Sequence, residues 1–119
     1  MMNPKELALR VAQILDEKKA INIMVLDVAH LSSITDYYVI CSARNTIQVG
    51  TLAEDVEEKL FAEEQLEPRR RDGHREARWV VLDYASVIVH IFHEQEREYY
   101  NIERLWMDGT NNVPCTDVK

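Results

Sequence analysis

The stretch Trp79–Trp106, WVVLDYASVIVHIFHEQEREYYNIERLW, decides how this chain folds. Two apolar, β-rich runs, Trp79–Asp83 and Val87–Phe92, are separated by only Tyr84-Ala85-Ser86. Three residues are too few for a helical crossover, so the runs are read as an antiparallel hairpin. Glu94–Trp106 then changes to helical spacing, which predicts one final helix with Tyr99, Ile102, Leu105 and Trp106 on its inner face. Asp108-Gly109 ends it. An acid and a tyrosine stand at the hairpin corner, yet nothing in the stretch has the form of a catalytic centre.

Upstream, Asn3-Pro4-Lys5-Glu6 is a helix start. Asn3 caps, Pro4 suits the first helical position, and Glu6 lies three residues after the cap. Leu7, Val11, Ile14 and Leu15 give that helix one apolar face. Ile21–Val28 reads as a strand, apolar except for its polar Asn22 and Asp27. Tyr37–Cys41 reads as a second strand, antiparallel to the first because the link is short. Asn45-Thr46 opens a long helix ended before Pro68, with Gly50 inside it. Glycine there costs about 1 kcal/mol relative to alanine, which predicts close packing at that point. Arg69–His74 reads as a short edge strand and turn. The expected fold is α/β (α+β): a single domain, order α-β-β-α-β-β-β-α, with a mixed sheet of about five strands and flanking helices. Residues 1–109 form the domain; residues 110–119, polar and containing Pro114, are expected to be a flexible tail.

The 119 residues carry a net charge of −7 and are 46% hydrophobic and 29% charged, which suits one globular core. An acidic chain is poorly matched to extensive contact with nucleic acid, whose affinity rests on phosphate neutralisation; it suits a basic protein partner. Two cysteines, Cys41 in an apolar run and Cys115 in the tail, make no disulfide framework and fit a reducing, cytoplasmic compartment. Met1–Arg10 has charges inside a capped helix start and does not read as a signal peptide.

Several residues carry chemistry in principle. Asp27 and Asp36 flank the first strand pair and would be the carboxylates of a metal-dependent phosphoryl or nucleotidyl transferase. The three glycines, Gly50, Gly73 and Gly109, are scattered and make no phosphate cradle, so strand-end and turn roles are favoured for both acids. His90 and His93 lie three apart on a strand and point to opposite faces, so they do not share a metal. His30 and His74 read as loop residues. Cys41, among apolar neighbours, reads as inert. Arg69-Arg70-Arg71 lacks interleaved aromatics and reads as a solvated face offering at most a rim contact to RNA. No catalytic residue, metal or cofactor is expected. Trp79, Asp83 and Tyr84 are either core and turn residues or a partner-binding patch, since tryptophan and tyrosine are enriched at interface hot spots. Arg97, Tyr100 and Glu103 recur at helical spacing, either as a second patch beside it or as an ordinary exposed face. Aromatic-rich faces also self-associate, so a homodimer is compatible with the chain.

In order along the chain stand LDV (Leu26–Val28), SSITDYYVIC (Ser32–Cys41), DG (Asp72-Gly73), WVVLDY (Trp79–Tyr84), VIVHIF (Val87–Phe92) and, from Arg97, REYYNIERLW. Together, from about Leu7 to Asp108, they resemble the ribosomal silencing factor family, also called Iojap-like proteins. The resemblance implies a small mixed sheet with flanking helices, similar in topology to nucleotidyltransferases but without their catalytic motif. It implies a non-enzymatic translation repressor that binds the large ribosomal subunit through the universal L-fourteen protein on its subunit-joining face. There it blocks the small subunit when nutrients are short. By position, Trp79, Asp83 and Tyr84 are the residues it places in that contact. The chain departs from the family pattern at Ala85-Ser86, where Gly-Asp is common, and at Ala43, where glycine is common, so the hairpin corner is expected to differ in shape.

Overall fold

The structure is a computed structural model, described here for residues 2–114. The elements are α1 (Pro4–Glu17), β1 (Ile21–Asp27), β2 (Tyr37–Ala43), α2 (Thr46–Glu64), β3 (Arg70–Asp72), β4 (Trp79–Asp83), β5 (Val87–His93), α3 (Glu94–Tyr100), α4 (Ile102–Trp106) and β6 (Asn112–Val113). They build one six-stranded sheet in the order β3-β4-β5-β2-β1-β6. β2 and β5 run parallel, and every other neighbouring pair is antiparallel. The α/β class, the mixed sheet and the β4–β5 hairpin agree with the sequence; the strand count is six.

Local signals explain the element starts. The Asn3 side chain accepts from the Glu6 N–H while Glu6 accepts from the Asn3 N–H, a reciprocal capping box. Asn45 caps α2 by accepting from the Gln48 N–H at 2.8 Å. α2 ends at Gln65 in the left-handed region, whose N–H bonds back to Leu60 and Phe61. Gly50 differs from expectation: a Cβ there would meet nothing within 4 Å, so no close packing requires the glycine.

The pleat divides the core in two. Val39 and Cys41 of β2, Val80 and Leu82 of β4, and Val89 and Ile91 of β5 point to one face, where α1 and α2 cover them. Tyr38 and Ile40, Trp79 and Val81, and Ile88 and Phe92 point to the other. Among the described residues, that second face is covered by the short α3 and α4. β1 changes register between Ile21 and Met24, with Asn22 at φ 50°, a bulge that interrupts its pairing with β2.

Two expectations are corrected at the C-terminal end. The final helix is broken. Asn101 adopts φ 47°, ψ 50°, ending α3 and starting α4 in a new direction, so Tyr99 and Leu105 are 78% and 77% exposed rather than inward. The stretch expected to be a flexible tail begins with structure. Asn111 is buried, donating to the carbonyls of Asp27 and Trp106, and Asn112–Val113 pairs with Leu26 and Val25 as the outermost strand. The edge of β1 otherwise presents unpaired backbone groups, which β6 satisfies. Residues 115–119, including Cys115, lie outside the described part. No helix among the described residues is long and apolar enough to cross a membrane.

Candidate functional site

The thinly covered face of the sheet carries an aromatic layer. Trp79, at the start of β4, stacks on Phe92 of β5 (ring centroids 4.7 Å, interplanar angle 25°), its direct cross-strand partner. Tyr100, from the end of α3, packs against the same indole at 4.9 Å, and Tyr99 sets edge-to-face on Tyr100. Beneath them, Tyr38 is edge-to-face with His90 at 5.0 Å and with Trp106 of α4 at 5.2 Å. The layer reaches solvent. Trp79 and Trp106 are half-buried, and Tyr100 is 47% exposed. Exposed Tyr99, Leu105 and Met107 extend its apolar surface. The Arg78–Glu96 ion pair (2.6 Å) lies on the Trp79 side, and the His30–Asp108 pair (2.7 Å) joins the β1–β2 loop to the chain after α4. The hydrogen bond from His30, then those from Thr110, hold the Asp108 carboxyl well below the usual carboxylate range.

The structure separates the residues that the sequence grouped. Trp79 and Asp83 share a face but stand at opposite ends of β4, about 13 Å apart at the usual strand rise. Asp83 organises the corner: its carboxylate accepts from the Ala85 N–H (2.8 Å) and from Arg69 Nε (3.1 Å). Tyr84 lies on the opposite face, 8% exposed in the main core, so it does not stand beside Trp79 in one surface patch. Its hydroxyl is buried without a hydrogen-bond partner among the described residues, and burial raises its pKa. Ala85 has φ 70° under a Ser86 N–H to Tyr84 carbonyl bond of 2.9 Å, a strained three-residue turn.

Arg97, expected on an exposed patch, is buried. Its guanidinium donates to the Asn22 carbonyl, to Ser42 Oγ (3.0 Å) and to Glu103 (3.0 Å). It ties α3 to the β1 bulge, to β2 and to α4, so it is a structural clasp under the aromatic layer. Tyr100 does lie beside Trp79, so of the six residues singled out from the sequence for the two patches these two share the exposed aromatic surface.

The chemistry-bearing alternatives have structural uses. The Asp27 carboxylate accepts from the Ala29 N–H at 3.2 Å, closing a turn. Asp36 pairs through its backbone with Ser86 and Val28. Among the described residues no three His, Cys, Asp or Glu side chains converge as metal ligands. Cys41 is fully buried, and burial pushes its thiol up to about 12, which leaves it unreactive. His90 and His93 face opposite ways. His93 caps α3 by accepting from the Gln95 N–H, and His90 lies in the aromatic layer. In the basic run, Arg69 pairs with Asp83 and Arg71 with Glu57.

Sequence reasoning missed two features of this face. The bend at Asn101, a residue type that tolerates the left-handed region, was the one signal that α4 turns away. The bond from Trp79 Nε1 to His90 Nδ1 (3.1 Å) joins residues eleven apart and leaves no local signature.

Comparison with known proteins agrees with the fold. The family model described as "Ribosomal silencing factor during starvation" matches residues 1–119. The chain is 37% identical over 108 residues to a protein of Halalkalibacterium halodurans named "Ribosomal silencing factor RsfS", covering 91% of this chain and 92% of that one. It is also 37% identical to the Bacillus subtilis protein of the same name, covering 91% of each. The crystal structure of protein CV0518 from Chromobacterium violaceum superposes with a TM-score of 0.84 at 28% identity, covering 96% of both chains. A Bacillus halodurans structure gives 0.73 at 34% identity, covering 92% of this chain and 95% of that one. The chain therefore belongs to the ribosomal silencing factor family.

Proposed function

We propose that this protein represses translation by binding the large ribosomal subunit through a basic protein of its subunit-joining face, the universal L-fourteen protein, and so excluding the small subunit. Such an action takes place where ribosomes are, in the cytoplasm, and requires no chemical turnover. Family membership supports the ribosomal partner. The observation that carries the docking site is the half-exposed Trp79, held between Phe92 and Tyr100 on the face that α1 and α2 leave uncovered.

The physical requirements are modest. A standard interface takes about 800 Å² per partner, roughly a ninth of this molecule's 6971 Å² surface. A large aromatic ring presented on a rigid sheet loses little side-chain entropy on docking and makes a suitable anchor. The net charge of −7 speeds encounter with a basic neighbour. A bound body measuring 33 × 33 × 28 Å is large enough to obstruct a subunit joint by volume alone.

The test is a joining assay. Large subunits are incubated with the protein, mixed with small subunits and sedimented. Whole ribosomes should decrease as the protein is titrated in. Trp79→Ala, shown to be folded by circular dichroism, should weaken binding at least tenfold, as expected for an anchoring aromatic. Undiminished ribosome formation at saturating protein would refute the repressor reading, and tight binding by folded Trp79→Ala would refute the site.

A further inference from the structure

We propose that His90 is a positioning residue for the docking surface: its Nδ1 fixes the rotational setting in which Trp79 meets the partner. The inference rests on the reading of the Trp79 face as the ribosomal contact.

The argument begins with what stacking leaves undetermined. Trp79 lies nearly parallel to Phe92, and an indole turned over about its Cβ–Cγ bond would still cover the phenyl ring. The hydrogen bond removes that freedom. In the β4–β5 register, Val81 opposes His90 and Trp79 opposes Phe92, so His90 is the diagonal same-face neighbour of Trp79. Trp79 Nε1 donates to His90 Nδ1 at 3.1 Å, and the overturned ring would point its N–H away from that acceptor.

The acceptor is itself held. His90 is 8% exposed and meets the Tyr38 ring edge-to-face, and Trp106 meets Tyr38 in the same manner. A continuous line of rings, Trp106–Tyr38–His90–Trp79, thus sets both tryptophans of the face. Because Nδ1 accepts, the proton of the neutral imidazole stands on Nε2, which is buried without a hydrogen-bond partner among the described residues. A polar ring kept in an apolar layer with one nitrogen unsatisfied costs stability. The return is an anchor preorganised before binding, which lowers the entropy lost on docking.

The experiment uses the full chain. In ¹⁵N-labelled wild-type protein, the His90 ring nitrogens should report the Nε2-protonated tautomer. The Trp79 indole N–H, distinguished from Trp106 by its absence in Trp79→Phe, should exchange slowly with water. His90→Leu should shift that signal and speed its exchange while weakening large-subunit binding about fivefold to tenfold, the scale of one neutral hydrogen bond. His90→Asn, which carries an acceptor oxygen near the position of Nδ1, should restore both readouts to within about twofold of wild type. The inference is overturned by an Nδ1-protonated His90 in the wild type, a result independent of how any variant folds. It is equally overturned by His90→Leu binding as wild type does, or by His90→Asn behaving like His90→Leu. Wild-type protein that fails to sediment with large subunits overturns the ribosomal reading itself, an outcome separate from these.

Discussion

Replacing Arg97 by methionine tests whether the aromatic face is held by a buried ionic clasp. Arg97 and Glu103 have side-chain exposures of 9% and 16%, so water screens their contact little. The substitution keeps most of the aliphatic stem but leaves Glu103 without its cation, and Ser42 Oγ and the Asn22 carbonyl without a donor. One oxygen of Glu103 is already buried and unpartnered. Breaking one side of a buried pair in this way costs about 3–5 kcal/mol. A domain of this length has an unfolding entropy near 250 cal/mol/K, so Tm should fall by roughly 12–20 °C. Removing the stranded charge as well, in Arg97→Met/Glu103→Leu, should recover a large part of that loss, because an apolar pair of similar volume replaces an ion pair at little cost. Differential scanning calorimetry of the single and double variants reads both numbers. A fall below about 3 °C for Arg97→Met, or a double variant less stable than the single one, would refute the clasp.

Three further outcomes follow from the same structure. Ala85→Gly should raise stability by about 1 kcal/mol in urea unfolding, since φ 70° strains a residue with a Cβ; a loss of stability would contradict the turn geometry. Tyr84→Phe should leave large-subunit binding unchanged and Tm unchanged or slightly higher, because it deletes a buried hydroxyl that has no partner; weakened binding would return Tyr84 to the interface. Burial lowers the His90 pKa to about 4 from 6.5, so between those values the unfolded chain binds the extra proton and stability falls on acidification from pH 6.5 towards 4. The His90 contribution amounts to about 3 kcal/mol, and the difference in unfolding free energy between wild type and His90→Leu should change across that window; a pH-independent difference would show that His90 is not buried as a neutral ring.

Legibility in the sequence followed the range of the interactions. The Asn3–Glu6 box, the Asn45 cap and the apolar, β-rich runs Trp79–Asp83 and Val87–Phe92 were readable because each signal and its consequence lie within one turn or one strand. Trp79 and Tyr100 were singled out as aromatic candidates, but their neighbourhood depends on where α3 crosses the sheet. Arg97 looked like a solvated helix residue because its partners Asn22 and Ser42 are 75 and 55 residues away. Asn112–Val113 looked like tail because two residues carry no periodicity; only the open edge of β1 makes them a strand.

The chain by itself determined the α/β class, the hairpin at Tyr84-Ala85-Ser86 and the family, since short-range sterics, capping and runs of apolar, β-rich residues act on contiguous residues. Only the tertiary structure decided that Trp79 and Tyr84 lie on opposite faces of the sheet, that Arg97 is a buried clasp and that His90 holds the indole of Trp79. Those outcomes depend on which distant groups meet, and a hydrogen bond or a desolvated charge has no meaning until its partner is in place.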